Sequence, residues 1–98
     1  MRKLYDFYIL ASRRNGTLYI GITNDLGRRV RERREGLIEG FTRRYAVNRL
    51  VYFETFQDVS AAIHRKTRLK KWKRQWKIES IRTDNLEWID LYQKVAMA

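Results

Sequence analysis

Between His64 and Lys77 the chain carries eight Lys or Arg residues and no acid, a run of cations suited to holding phosphate oxygens. Arg65, Arg68, Lys70, Lys71, Lys73, Arg74 and Lys77 are placed to track a nucleic-acid backbone, which gives affinity without sequence preference. Leu69, Trp72 and Trp76 keep an apolar spacing within the run, so it reads as the basic face of folded helix and not as a disordered tract. The two tryptophans read as helix-packing residues ahead of base-stacking platforms. One cation is out of place. At about 100° per residue, Val59, Ala62, Ile63 and Leu69 gather into one apolar stripe, and Lys66 falls in its middle. Either Lys66 buries its methylene stem and carries its charge out to water, or it delivers that charge to an inward anion site. His64, the only histidine, projects to the opposite helical side and reads as a surface residue.

The whole chain repeats the charge signal. Its 22 Lys and Arg against 11 Asp and Glu give +11 and a sequence pI near 10.4, so a polyanion is the expected partner, with nucleic acid, and DNA in particular, the leading candidate. A membrane surface would call for an exposed apolar helix face as well. With 98 residues, the expectation is one domain over residues 1–98 built on one core. There is no cysteine for a disulfide or a thiolate metal site. No apolar run approaches the roughly 20 residues of a membrane span, and Asp6 interrupts the N-terminal run before a signal-like core develops. A cytoplasmic protein is expected.

These cations need elements to position them. Leu4 to Ala11 and Thr17 to Thr23 read as strands, joined by SRRNG, where Asn15-Gly16 suits a tight hairpin because both residues tolerate positive φ. Thr23, Asn24 or Asp25 can cap a first helix on which Leu26, Val30 and Leu37 share a side. After Gly36 and Gly40 the loop FTRRYAVN leads into a third strand, Leu50 to Glu54. Asp58 or Ser60 can cap a helix running to about Trp72, Trp76 and Ile81 lie on another, and Leu86 to Val95 form a last short one beginning near Asn85. The fold class is α+β, a small three-stranded antiparallel sheet flanked by helices.

In that order, DFY at Asp6 to Tyr8, YIG at Tyr19 to Gly21 and Arg29 resemble the two-part signature of the GIY-YIG nuclease family. The second motif is intact, while in the first only Tyr8 is kept, Asp6 and Phe7 standing at its glycine and isoleucine positions. The wider pattern, NGTLYIGITNDLGRRV through LKKWKRQWK to NLEWIDLY, resembles small stand-alone bacterial members over essentially the whole chain. The resemblance implies a GIY-YIG endonuclease-like fold and phosphodiester hydrolysis assisted by one Mg2+ or Mn2+ ion. It assigns Tyr8 and Tyr19 to flank an attacking water, Arg29 to stabilise phosphate charge and Gly21 to permit close approach. Those types suit the task, because a phenol can orient water or accept its proton and a guanidinium can grip two phosphate oxygens at once.

Two positions depart from the family. Four residues after the arginine, where His or Tyr is usual, stands Arg33. Where the metal-binding glutamate is expected stands Lys66, and a protonated amine cannot ligate a divalent cation. Both cations are expected to point inward, so that Tyr8, Tyr19, Arg29, Arg33 and Lys66 form a phosphate pocket. A non-catalytic DNA- or RNA-binding module on a nuclease fold is the alternative to an endonuclease. Glu54, at the end of the third strand, is the remaining carboxylate that could approach this pocket.

Overall fold

In the computed structural model of the protein, which describes residues 4–36, 40 and 44–96, a three-stranded antiparallel sheet carries helices on both faces. The strands are β1 (Tyr5–Ala11), β2 (Leu18–Thr23) and β3 (Arg49–Phe56), in the spatial order β2-β1-β3. Among the described residues four helices complete the order: α1 (Leu26–Arg34) between β2 and β3, then α2 (Val59–Lys71), α3 (Arg74–Asp84) and the short α4 (Tyr92–Ala96). The expected Leu37 on the first helical stripe, and Phe41 to Arg43 of the expected loop, lie outside the described residues.

Alternation along β1 divides the core in two. Phe7, Ile9 and Ala11 face Ile20, Val51, Tyr52, Leu69, Ile81 and Trp88, the side covered by α2 and α3. Tyr8 and Leu10 face Leu26, Val30, Val47 and Leu50, the side covered by α1 and α4. The central strand is therefore apolar along most of its length, as a strand buried on both faces must be. Between Ile9 and Leu10 the pairing with β3 slips by one residue. The bulge lets the neighbouring Val51 and Tyr52 both join the α2 side.

The hairpin differs from the two-residue turn expected. Its strands close through Ser12 N–H to the Thr17 carbonyl, and Gly16 N–H returns to the Arg13 carbonyl, so four residues make the turn. Asn15 takes the left-handed conformation (φ 57°). Gly16 serves by its size, since a Cβ there would lie 2.8 Å from Cγ of Arg13.

Helix α1 begins at Asp25, whose carboxylate accepts the Arg28 N–H at 3.3 Å, a side-chain cap for an otherwise open backbone donor. Asp58 caps α2 in the same manner through Ser60 N–H. The apolar stripe expected on α2 is narrower than drawn: Ala62 and Leu69 are buried, but Val59 and Ile63 are exposed. Arg65 fills the inward position between them. Its Nε donates at 3.0 Å to Glu54, which also accepts the Tyr52 hydroxyl at 2.7 Å.

The expected last helix, Leu86 to Val95, is mostly an irregular strap. Asn85 ends α3, its amide donating to the Val51 and Ile89 carbonyls and its oxygen accepting from Ile89 N–H. Trp88, at φ 56° and fully buried, turns its indole into the core, a conformation unusual for a bulky residue. Asp90 accepts from Leu50 N–H and Tyr92 N–H and pairs with Arg34, so regular helix starts only at Tyr92. The third strand is also longer than expected, Arg49–Phe56, because the strap supplies bonds along its outer edge, including Leu91 N–H to the Leu50 carbonyl at 2.7 Å.

Burial and a Glu54 partner push the Tyr52 phenol up to about 12 from 10.0. The folded state then holds a proton that the unfolded chain loses first, so this contribution is intact below pH 10 and is lost as pH rises to about 12. Two units correspond to roughly 2 to 3 kcal/mol. Chemical denaturation between pH 9 and 12 is expected to show falling stability, and Tyr52→Phe to flatten that fall.

Candidate nucleic-acid interface

The pairing of β1 with β2 sets Tyr8 opposite Gly21 and Leu10 opposite Tyr19, so both tyrosines lie on the α1 face as diagonal neighbours. Their ring centroids are 6.4 Å apart. Gly21 makes this possible. A Cβ at that position would stand 2.5 Å from the Tyr8 hydroxyl oxygen and 2.6 Å from its Cζ, so the space that a side chain would fill is taken by the Tyr8 ring. Of the two close approaches expected at this glycine, by a phosphate or by an adjacent element, the described structure shows the second.

Helix α1 brings the arginines to this pair. Leu26 and Val30 are buried against the sheet, and Arg29 and Arg33, one turn apart, flank that seam. The Arg33 guanidinium lies 5.0 Å from the centre of the Tyr19 ring and donates to its hydroxyl at 3.3 Å. Arg33 and Arg29 also act on the Tyr8 phenol, both favouring its ionised form. Tyr8 is only 1% exposed. Burial, then the neighbouring Tyr19, raise its pKa against the opposing pull of Arg33 and Arg29. Tyr8 is thus a proton-bearing phenol near neutral pH, able to hold an oxygen ligand or a water and disinclined to act as a base.

The cations of the second half differ in what holds them. Arg65 is held by Glu54 and lies 5.5 Å from the Trp72 ring centre. Arg74 clamps the hairpin by donating to the Asn15 and Gly16 carbonyls at 2.8 and 2.5 Å. Arg68, Lys70, Lys71 and Lys73 are exposed. Lys70 and Lys77 form a groove of about 280 Å³ with Leu18, Tyr19 and Ile20. A second groove of about 280 Å³ shares Leu18, Ile20 and Lys77 and extends to Thr17 and Arg74. Both run along β2, the strand whose outer edge has no neighbour in the sheet among the described residues. Tyr19 lines the first of them and also accepts a hydrogen bond from Arg33. Trp72 packs on the core, and Trp76 meets it edge-on at 6.1 Å while remaining half exposed.

Lys66 is half-buried on α2, the helix on the far face of the sheet from α1. Its placement follows from its neighbours. Arg74, just past α2, touches the hairpin turn, and Lys70 stands beside Tyr19, so α2 runs antiparallel to β2. One helical turn is about 5.4 Å, close to two strand residues. Lys66, one turn before Lys70, accordingly sits near the level of Gly21. Arg65 reaches the opposite way, to β3, which leaves Lys66 on the β2 side. Burial and then Lys70 lower its pKa.

The side chains do not fit a divalent cation. Lys66 stands where the resemblance puts the ligand. Glu54 points to the α2 face, since it pairs opposite Phe7, and is held by Tyr52 and Arg65. Glu32, the carboxylate beside Arg29, pairs with Arg28 at 3.5 Å and Arg29 at 3.8 Å. Among the described residues no three His, Cys, Asp or Glu side chains come together as a metal set. Nor is any described helix long and apolar enough to cross a membrane.

The strand order, the paired tyrosines and the arginine on the following helix define the architecture of a GIY-YIG domain. Residues 5–79 match the family described as the GIY-YIG catalytic domain, and the chain belongs to that family. It is 36% identical over 73 residues to the UPF0213 protein HQ_3675A of Haloquadratum walsbyi, a span of 74% of this chain and 82% of that relative. The solution NMR structure of the UPF0213 protein BH0048 from Bacillus halodurans superposes with a TM-score of 0.53 at 26% identity, covering 84% of this chain and 86% of that one.

Proposed function

We propose that this chain binds nucleic acid, DNA in the first instance, by seating a backbone phosphate against Tyr8, Tyr19, Arg29 and Arg33, with the flanking strand in the groove of Lys70 and Lys77. The observation that carries this reading is the placing of Arg33 on the Tyr19 hydroxyl and ring, with the Tyr8 ring 6.4 Å from that of Tyr19. A guanidinium so oriented can turn from phenol to phosphate without moving its helix, and a charge-assisted bond to an anion exceeds one to a neutral hydroxyl. Family membership, the +11 charge and the lysines lining the grooves along β2 support the same partner.

Binding is the activity these side chains favour, and metal-assisted hydrolysis is not, because an amine stands at Lys66 where the resemblance puts the carboxylate that holds the ion. Fluorescence anisotropy with a labelled oligonucleotide in EDTA tests the reading. Wild type is expected to bind without metal, and Arg33→Ala to bind about 10- to 100-fold more weakly, as loss of a charge-assisted contact requires. Equal affinity of the two proteins would overturn it.

A further inference from the structure

The strap covers the outer edge of β3, whereas the outer edge of β2 is open among the described residues. The register fixes which backbone groups that edge presents. Ser12 N–H bonds the Thr17 carbonyl, and bonded positions alternate along an antiparallel pair, so Tyr19 and Gly21 bond inward to Leu10 and Tyr8. The N–H and C=O groups of Leu18, Ile20 and Ile22 therefore point away from β1, with no backbone partner among the described residues. Successive outward residues lie about 6.8 Å apart, the repeat of a strand. Leu18 and Ile20 line both grooves that run along this edge. A row of outward donors and acceptors beside a groove is a template for one more strand.

The flanking side chains select which strand. Lys70 and Lys77 line the groove, and the Lys77 ammonium donates to the Lys70 carbonyl at 3.4 Å, which holds the α3 lysine beside the α2 one. Arg74 is occupied by the hairpin carbonyls. A second copy of this chain would bring the same lysines against these, so self-pairing at the edge is opposed by like charge. A strand carrying carboxylates meets the opposite sign. The backbone row also discriminates between polyanions, because a phosphate chain offers acceptors to the outward N–H groups and leaves the outward carbonyls unmatched, whereas an extended peptide satisfies both. We propose that the β2 edge accepts an extended acidic segment of a partner protein as a fourth strand, with Asp or Glu at alternate positions reaching Lys70 and Lys77. Such a segment occupies the groove assigned above to nucleic acid and competes with it. The edge geometry carries this interaction without the tyrosine and arginine seat.

Amide NMR on the isotope-labelled full chain, titrated with a short synthetic peptide of alternating Thr and Glu, tests the proposal. The expected result is saturable binding, with hydrogen exchange of the Leu18 and Ile20 amides slowed at least about tenfold by their new ladder bonds. The same peptide N-methylated at two adjacent central residues keeps every charge and loses a ladder donor in either register. It is expected to bind at least about tenfold more weakly. Lys70→Gln Lys77→Gln is expected to weaken the unmodified peptide by a similar factor, and Lys94→Gln on α4 to leave it unchanged. Equal binding of the methylated peptide, or unchanged exchange at Leu18 and Ile20, would reduce the contact to charge attraction and overturn the proposal. Slowing of the same amides by an oligonucleotide and not by the peptide would also overturn it, giving the edge to nucleic acid. Oligonucleotide binding without any peptide binding refutes this proposal and leaves the phosphate seat standing.

Discussion

Gly21→Ala is expected to destabilise the protein by about 2 to 3 kcal/mol, the range of core overpacking, and to lower Tm by about 10 to 20 °C for a domain of this size. The added methyl would sit 2.5 Å from the Tyr8 hydroxyl oxygen and 2.6 Å from its Cζ, inside any permitted contact. Tyr8 cannot retreat. It is 1% exposed and packed with Leu10, Leu26 and Val30, so relief must come from moving α1 or opening the β1–β2 pair. Either movement disturbs the placing of Arg33 against the two tyrosines, and nucleic-acid binding is expected to fall with stability. The double variant Gly21→Ala Tyr8→Ala distinguishes this mechanism from a simple loss of strand flexibility. With the ring removed the clash disappears, so the two losses are expected to be less than additive in thermal or chemical denaturation. Full additivity would show that the contact between Gly21 and Tyr8 is not what the glycine is for.

This contact bears on what a sequence can disclose. That YIG needs its glycine is visible in the motif, but the reason is a cross-strand partner thirteen residues earlier in the chain, and only the pairing of Tyr8 with Gly21 supplies it. The strands and the first helix were legible because their signals are local: alternating apolar residues, a turn pair, an aspartate cap. The roles within the basic run were not, because identical cations at successive positions look alike until a tertiary partner distinguishes them. Glu54, eleven residues before Arg65, draws that arginine inward, and the hairpin carbonyls occupy Arg74, while Lys70 and Lys77 remain beside an open strand edge.

The C-terminal strap illustrates a second limit. NLEWIDLY has helical spacing, and its departure from helix is imposed by contacts more than thirty residues away in sequence. The Asn85 amide reaches the Val51 carbonyl, the Asp90 carboxylate reaches Leu50 N–H, and Trp88 accepts a left-handed backbone to bury its indole. Tertiary packing overrides local propensity here. The consequence for the site is asymmetry: the strap covers the outer edge of β3, so the free edge is that of β2, on the side where Tyr19 and the groove lie.

The double variant Arg29→Gln Arg33→Gln is the other substitution with a large expected effect. Both guanidiniums act on Tyr8, and both are only partly exposed, so their removal takes two charges from one place and not from a diffuse surface. Each cation that neutralises a phosphate releases condensed counterion, contributing about 0.7 to 0.9 to the slope of log affinity against log salt. A solvated charge that touches no phosphate contributes little to that slope. Salt-dependent binding of one labelled oligonucleotide, in EDTA, to wild type and to the double variant is therefore the most direct measurement. The expected result is weaker binding with a slope shallower by about 1.4 to 1.8; weaker or equal binding with the wild-type slope would contradict a phosphate seat at Tyr8, Tyr19, Arg29 and Arg33.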